Sequence, residues 1–188
     1  MNGLMNKALY FDAAMHVAVE HQDGLAFSIR EWISETGDAP WDDLPATVVG
    51  VFNKDKSDVT LLSAPAPCWR TDAEKAEWIS DIKAGCKELN ALFCIVMTGA
   101  CIARDEAADL LLKSEGRMRV SDLPEHMRQD VILLHMSCAR GDRILMFENE
   151  GGAEVHDTGV CQDANQLDGD MLGFIEPAPK DLSPTNDA

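Results

Sequence analysis

Basic residues are scarce in this sequence. Sixteen Lys and Arg stand against 33 Asp and Glu, a formal net charge of −17. Gripping nucleic-acid phosphates takes clustered Lys and Arg, so no direct nucleic-acid partner is expected. So negative a field favours solubility or basic partners. Long apolar runs are missing too. None approaches the ~20 residues that a membrane helix needs, and no membrane association is expected. The first residues place Asp12 and Glu20 among apolar neighbours, without the basic-then-apolar layout of a secretory signal. A cytoplasmic location is therefore expected. C-x-x-C pairs are absent among Cys68, Cys86, Cys94, Cys101, Cys138 and Cys161, so zinc-ribbon spacing is excluded. Neither G-x-x-x-x-G-K nor G-x-G-x-x-G occurs, which removes the glycine-rich phosphate loops. No cofactor and no metal are expected.

What is present is enough for a core. The chain has 188 residues, 46% hydrophobic and 26% charged, ordinary values for a globular protein. At this size folding hides about 70% of the unfolded chain's surface. Disulfides are not needed, and Cys86, Cys94, Cys101 and Cys138 lie in apolar segments, where a free thiol acts as a small hydrophobe. Residues 148–188 hold ten acids against the single base Lys180. Charge runs of this kind read as solvated tails. The expected organisation is one α+β domain over residues 1–160 and an acidic, poorly ordered tail over 161–188.

Leu4, Ala8, Phe11, Met15 and Ala18 recur at three- and four-residue steps, predicting a helix over residues 4–20. Asp23-Gly24 then interrupts, and a second helix is predicted over 25–33. The β-branched runs 46–52 and 59–63 flank the polar stretch NKDKSD and predict a hairpin. Thr71 with Glu74 three residues on forms a capping box. It opens a helix to about residue 90, with Trp78, Ile79, Ile82, Cys86 and Leu89 as its apolar stripe. Residues 92–103 (LFCIVMTGACIA) are almost continuously apolar, the pattern of a central strand covered on both faces, with a bulge or bend expected at Gly99. A short helix is predicted over 105–113, and residues 153–158 predict a short edge strand. Hairpins segregated from helices argue for an α+β fold, its largely antiparallel sheet built of two hairpins plus a central strand and packed against helices.

The stretch VILLHMSCARGDRILMFENE, residues 131–150, predicts the second hairpin. Gly141-Asp142 suits the tip of a two-residue turn. That register sets Cys138 across from Leu145 and His135 across from Glu148, and it is read as sending Cys138 and Arg143 to opposite faces. A phosphatase loop needs five residues between its Cys and Arg, and four separate these two, so no catalytic residue is assigned. The arginines beside the turn read as solubilising.

Four constellations carry chemistry in principle. His16, Glu20 and His21 miss the H-x-x-E-H spacing by one residue, and an exposed pair worth about 0.2–0.5 kcal/mol is the simpler account. His135 and Glu148 together are the kernel of a general base. Ser137, two positions along the strand and about 7 Å away, is too far to serve as nucleophile. Residues 163–170 evoke a calcium loop, but Leu167 and Asp168 fall where an oxygen ligand and a glycine are required. Arg104, Arg117, Arg119, His126 and Arg128 concentrate positive charge between residues 104 and 130, a candidate anion site. The sequence therefore supports three readings. The first is a non-catalytic module acting by self-association or through a protein partner. This reading needs a cover for Val131, Leu133, Ile144 and Met146. The second is an acidic decoy imitating nucleic acid before a basic DNA-binding protein. The third is a small ligand-binding or enzymatic domain using the 104–130 cluster.

Overall fold

The computed structural model describes residues 2–36, 47–52, 59–64, 71–104, 108, 110–111, 120–148, 154–160 and 173–178. In order these give α1 (Asn2–Thr36), β1 (Thr47–Phe52), β2 (Val59–Ala64), α2 (Asp72–Glu88), β3 (Phe93–Ala103), β4 (Arg128–Cys138), β5 (Gly141–Glu148) and β6 (Glu154–Asp157). The six strands form one sheet in the order β2-β1-β3-β4-β5-β6. Every pairing in it is antiparallel. The fold is α+β, as the sequence predicts.

Strand alternation sorts the side chains onto two faces. Phe93, Ile95 and Met97 of β3 meet Ile132, Leu134, Met136 and Cys138 of β4, and Leu145 and Phe147 of β5, beneath α1. The helix supplies Ala14, Ala18, Ala26, Ile29 and Ile33, a stripe at three-, four- and eight-residue steps. Gln22 fills the gap in that stripe and is fully buried. Its Nε2 donates to the carbonyls of Leu134 at 2.8 Å and Arg143 at 3.1 Å, so the amide is satisfied where a buried polar group must be. On the other face Ile79 and Cys86 of α2 pack on Cys94 and Val96, with Phe174 and Ile175 closing the cluster. The capping box at Thr71 is formed, its side chain accepting from the Glu74 amide at 3.2 Å and its own amide donating to Glu74 at 3.1 Å.

Three expectations are corrected. The break at Asp23-Gly24 does not occur, and α1 runs through it as one 35-residue helix. A glycine inside a helix costs about 0.5–1 kcal/mol relative to alanine. The buried stripe continues across it from Gln22 to Ala26 and Ile29 and outweighs that cost. A Cβ at Gly24 would meet nothing within 4 Å. Gly24→Ala is therefore expected to raise stability by about 0.5–1 kcal/mol in denaturant titration; a loss would mean that the continuous helix is wrong. Gly99 is not a bulge, because β3 pairs with β4 without a shift from Phe93 opposite Cys138 to Ala103 opposite Arg128.

The third correction is the second hairpin. Cys138 stands opposite Gly141, not Leu145, so Ala139-Arg140 forms the tip. Gly141 sits just after it at φ 139°, a conformation that L side chains rarely adopt. The glycine is thus required by the hairpin, one position later than a two-residue glycine turn places it. Amides of Arg140 and Gly141 donate to the Cys138 sulfur, which holds the tip in this place.

Candidate functional site

The β4–β5 register decides what the predicted site residues can do. His135 faces Ile144, and Glu148 faces Val131. The predicted His135–Glu148 pair does not form; Glu148 instead accepts from Gln129 Nε2 at 3.2 Å. Arg143 stands opposite Met136, which puts it on the same face as Cys138 and corrects the expectation of opposite faces. The two still do not converge on a pocket. Arg143 lies against α1 and β6, bonding Asp23 at 2.7 Å and Asp157 at 3.1 and 2.9 Å. These carboxylates raise the Arg143 pKa, and the Arg143 guanidinium holds Asp157 below the usual carboxylate range against the effect of burial. Burial pushes the Cys138 thiol up, although the turn amides oppose it, which is the reverse of what a nucleophile needs. Arg140 is not a solubilising residue either. It is 4% exposed and bonds Asp12 of α1 at 2.7 Å, pinning the hairpin tip to the helix.

His135 finds a different acid. Its Nε2 lies 2.9 Å from Asp142 Oδ1, with the side chains 4% and 15% exposed. A carboxylate oxygen only accepts, so Nε2 carries the hydrogen. Ser137 also donates to Asp142, and the Gly173 amide reaches the same Oδ1 at 3.2 Å. Burial pushes the Asp142 carboxyl up, but these three donors together hold it below its ordinary value. Ser137 Oγ in turn accepts from the Ile175 amide at 3.1 Å. The acid, not the histidine, is the hub. In a nucleophilic triad the histidine stands between serine and acid and takes the serine's proton. Here the serine hydroxyl is committed to Asp142 and the His135 ring is covered by Phe174, with 5.6 Å between centroids. The network has a structural product. It fastens residues 173–178, within the predicted tail, to the sheet, helped by the Ala178 amide donating to Ala139 at 2.8 Å.

At the other end of β3 the predicted anion cluster is partly assembled. Arg104 donates its backbone amide to Met127 at 2.9 Å, and Arg128 stands opposite Ala103. This brings Arg104, His126 and Arg128 to one end of the sheet, with Arg104 and His126 exposed. Arg117 and Arg119 lie outside the described residues, as does the 163–170 stretch. His16 and Glu20 are both exposed, whereas His21 turns inward and stacks on Phe93 at 5.8 Å. The three residues therefore do not converge on one ion.

No sequence pattern signals the cleft of about 640 Å³ at the hairpin-tip end, within the 300–1,000 Å³ of small-molecule sites. Tyr10 and Phe11 of α1 form one wall, Lys83, Cys86 and Lys87 of α2 another, and Phe174 lies in the lining. Lys87 meets Glu176 at 3.1 Å, but with side chains 77% and 82% exposed such a pair is worth about 0–1 kcal/mol. Lys83 sits 5.7 Å from the Phe174 ring centroid. Cys86 reaches from this wall to Cys94 of β3, and the two thiols are hydrogen-bonded. Nothing in the spacing of these cysteines predicts the contact, because it depends on how α2 lies across the sheet. No protein-family profile, curated protein or solved structure matches this chain.

Proposed function

We propose that this protein is a non-catalytic α+β module that works by self-association, joining its β2 edge to that of a second copy. The observation that carries the reading is the contrast between the two sheet edges. β6 is four residues long, contains Glu154 and Asp157, and follows a register shift at Met146/Phe147. Shortness, charge and irregularity are the devices by which proteins keep an edge from pairing. β2 has none of them. It is six residues long, VTLLSA, without a charged residue in a chain of net charge −17. Residues 60–63 are all exposed, with Leu61 at 45% and Leu62 at 39%. Successive side chains leave opposite faces of a strand, so each leucine could cover its counterpart across a two-fold axis. Antiparallel pairing of β2 with β2 continues the sheet and satisfies the self-complementarity that such an axis demands. The apolar residues on the second hairpin face need no partner: Val131 is fully buried, and Leu133, Ile144 and Met146 are half-buried.

The expected solution state is a dimer by sedimentation equilibrium or light scattering. Charging both leucines, L61K with L62K, is expected to weaken it by at least about tenfold per leucine, because each loses about 1.5–3 kcal/mol of apolar burial. Both positions are already exposed, so the fold is expected to survive. Two acidic copies repel, and added salt is expected to strengthen the dimer. A basic partner held by acidic surface would show the opposite salt dependence. A wild-type protein that stays monomeric at every concentration and salt overturns the reading.

A further inference from the structure

Among the described residues, Cys86 and Cys94 are a pair of thiols whose chemistry the proposed self-association does not use. Both are free thiols. Cys86 lies near the end of α2 and lines the 640 Å³ cleft, while Cys94 lies behind it on β3, fully buried. Cys86 of α2 and Cys94 of β3 pack into one buried cluster, which brings the two thiols together across the helix–sheet interface. The chain between them reverses through Asn90, which takes φ 51°, and the Ala91 amide donates to the Cys86 carbonyl at 2.8 Å. This tight turn fixes the helix end against the strand, so the pairing does not depend on a loop finding its place.

We propose that Cys86 and Cys94 form a hydroperoxide-reactive dithiol, with Cys86 attacking a peroxide that enters the cleft and Cys94 acting as the resolving thiol. The asymmetry between the two follows from access, since Cys86 lines the cleft and Cys94 is fully buried behind it. The bond to Cys94 holds the Cys86 thiol below its ordinary value in spite of burial, while that pairing and burial push Cys94 well up. A thiolate is the reactive form. The C-terminal end of α2 disfavours negative charge, and Lys83 and Lys87 in the lining of the same cleft offset that. In the first step the Cys86 sulfur attacks the O–O bond of a hydroperoxide. An S–O bond forms, the O–O bond breaks, and the leaving alkoxide or hydroxide takes the thiol proton. In the second step the Cys94 sulfur attacks the Cys86 sulfenic acid. The S–S bond forms, and the hydroxyl departs as water with the Cys94 proton. Two thiols supply the two electrons that reduce the peroxide.

The test uses the reduced full-length chain and one equivalent of hydrogen peroxide, followed by peptide mapping without reductant. The expected product is a Cys86–Cys94 crosslinked peptide with the mass of two hydrogens lost. Cys94→Ser is expected to stop the reaction at a Cys86 sulfenic acid that a dimedone-type reagent captures. At neutral pH a small thiol reagent is expected to label Cys86 faster than Cys94 and Cys138 by about tenfold or more, since the rate follows thiolate content and access. Mapping the wild-type chain needs no variant to fold. Oxidation confined to other cysteines, or a Cys86 that reacts no faster than Cys138, overturns the proposal.

Discussion

Replacing Asp142 by alanine is expected to cost about 3 kcal/mol of stability, since each buried donor left unpaired costs about 1–3 kcal/mol. For a chain of this size that lowers the melting temperature by roughly 6–12 °C. Three donors lose their acceptor together: His135 Nε2, the Ser137 hydroxyl and the Gly173 amide. The first two are buried and have no water to turn to. The loss should not stay local. Ser137 also holds the Ile175 amide, and Phe174 and Ile175 complete the core beneath α2. Limited proteolysis is therefore expected to cut near residues 173–178 in the variant at protease levels that spare the wild type. The effect depends on pH with a definite sign. Asp142 titrates lower in the folded protein than its ordinary value, so its contribution is fully present above the unfolded value of about 4. It is lost as pH falls through the lower folded value. The gap in stability between wild type and Asp142→Ala should narrow in acid. A gap that is constant down to the acid transition would mean that the carboxylate is not the hub.

Gly50→Ala is expected to cost about 3 kcal/mol, the upper part of the range for overpacking a filled core. Gly50 stands opposite Phe93 in the β1–β3 pairing. A Cβ added there runs into the Phe93 ring. The ring cannot step aside easily. Phe93 is fully buried, and His21 of α1 stacks against it at 5.8 Å and 27°. Shortening the ring should relieve the clash. A double-mutant cycle of Gly50→Ala with Phe93→Leu is expected to show a favourable coupling of about 2 kcal/mol, since residues in contact depart from additivity by about 0.5–3 kcal/mol. Additive losses, measured by denaturant titration, would place the ring elsewhere. The same contact accounts for a glycine in the middle of a strand, where it otherwise weakens pairing.

These two sites mark where the sequence was legible and where it was not. Local rules found α2, because Thr71 and Glu74 are a capping box whatever surrounds them. They found β3, because a run buried on both faces needs no polar alternation. They failed where a distant contact outweighed a local preference. Asp23-Gly24 signals a break, but Gln22, Ala26 and Ile29 press one continuous helix onto the sheet. Gly141-Asp142 signals a turn tip, but the tip forms two residues earlier, at Ala139-Arg140, where the Cys138 sulfur gathers the turn amides. That shift moved His135 from Glu148 to Asp142 and so changed the chemistry read from it. The docked segment was hidden in an acidic, aperiodic stretch. Its one trace was the apolar group Met171, Leu172, Phe174 and Ile175 among acids. The contact of Cys86 with Cys94 had no trace, since it follows from the placement of α2 on the sheet.

If β2 is an edge made for pairing, amide hydrogen exchange followed against protein concentration will report it. The amides of residues 60–63 that point away from β1 should exchange more slowly as concentration rises, while β6 amides keep one rate throughout. Exchange in β2 that ignores concentration, or protection that grows at β6 instead, would contradict it.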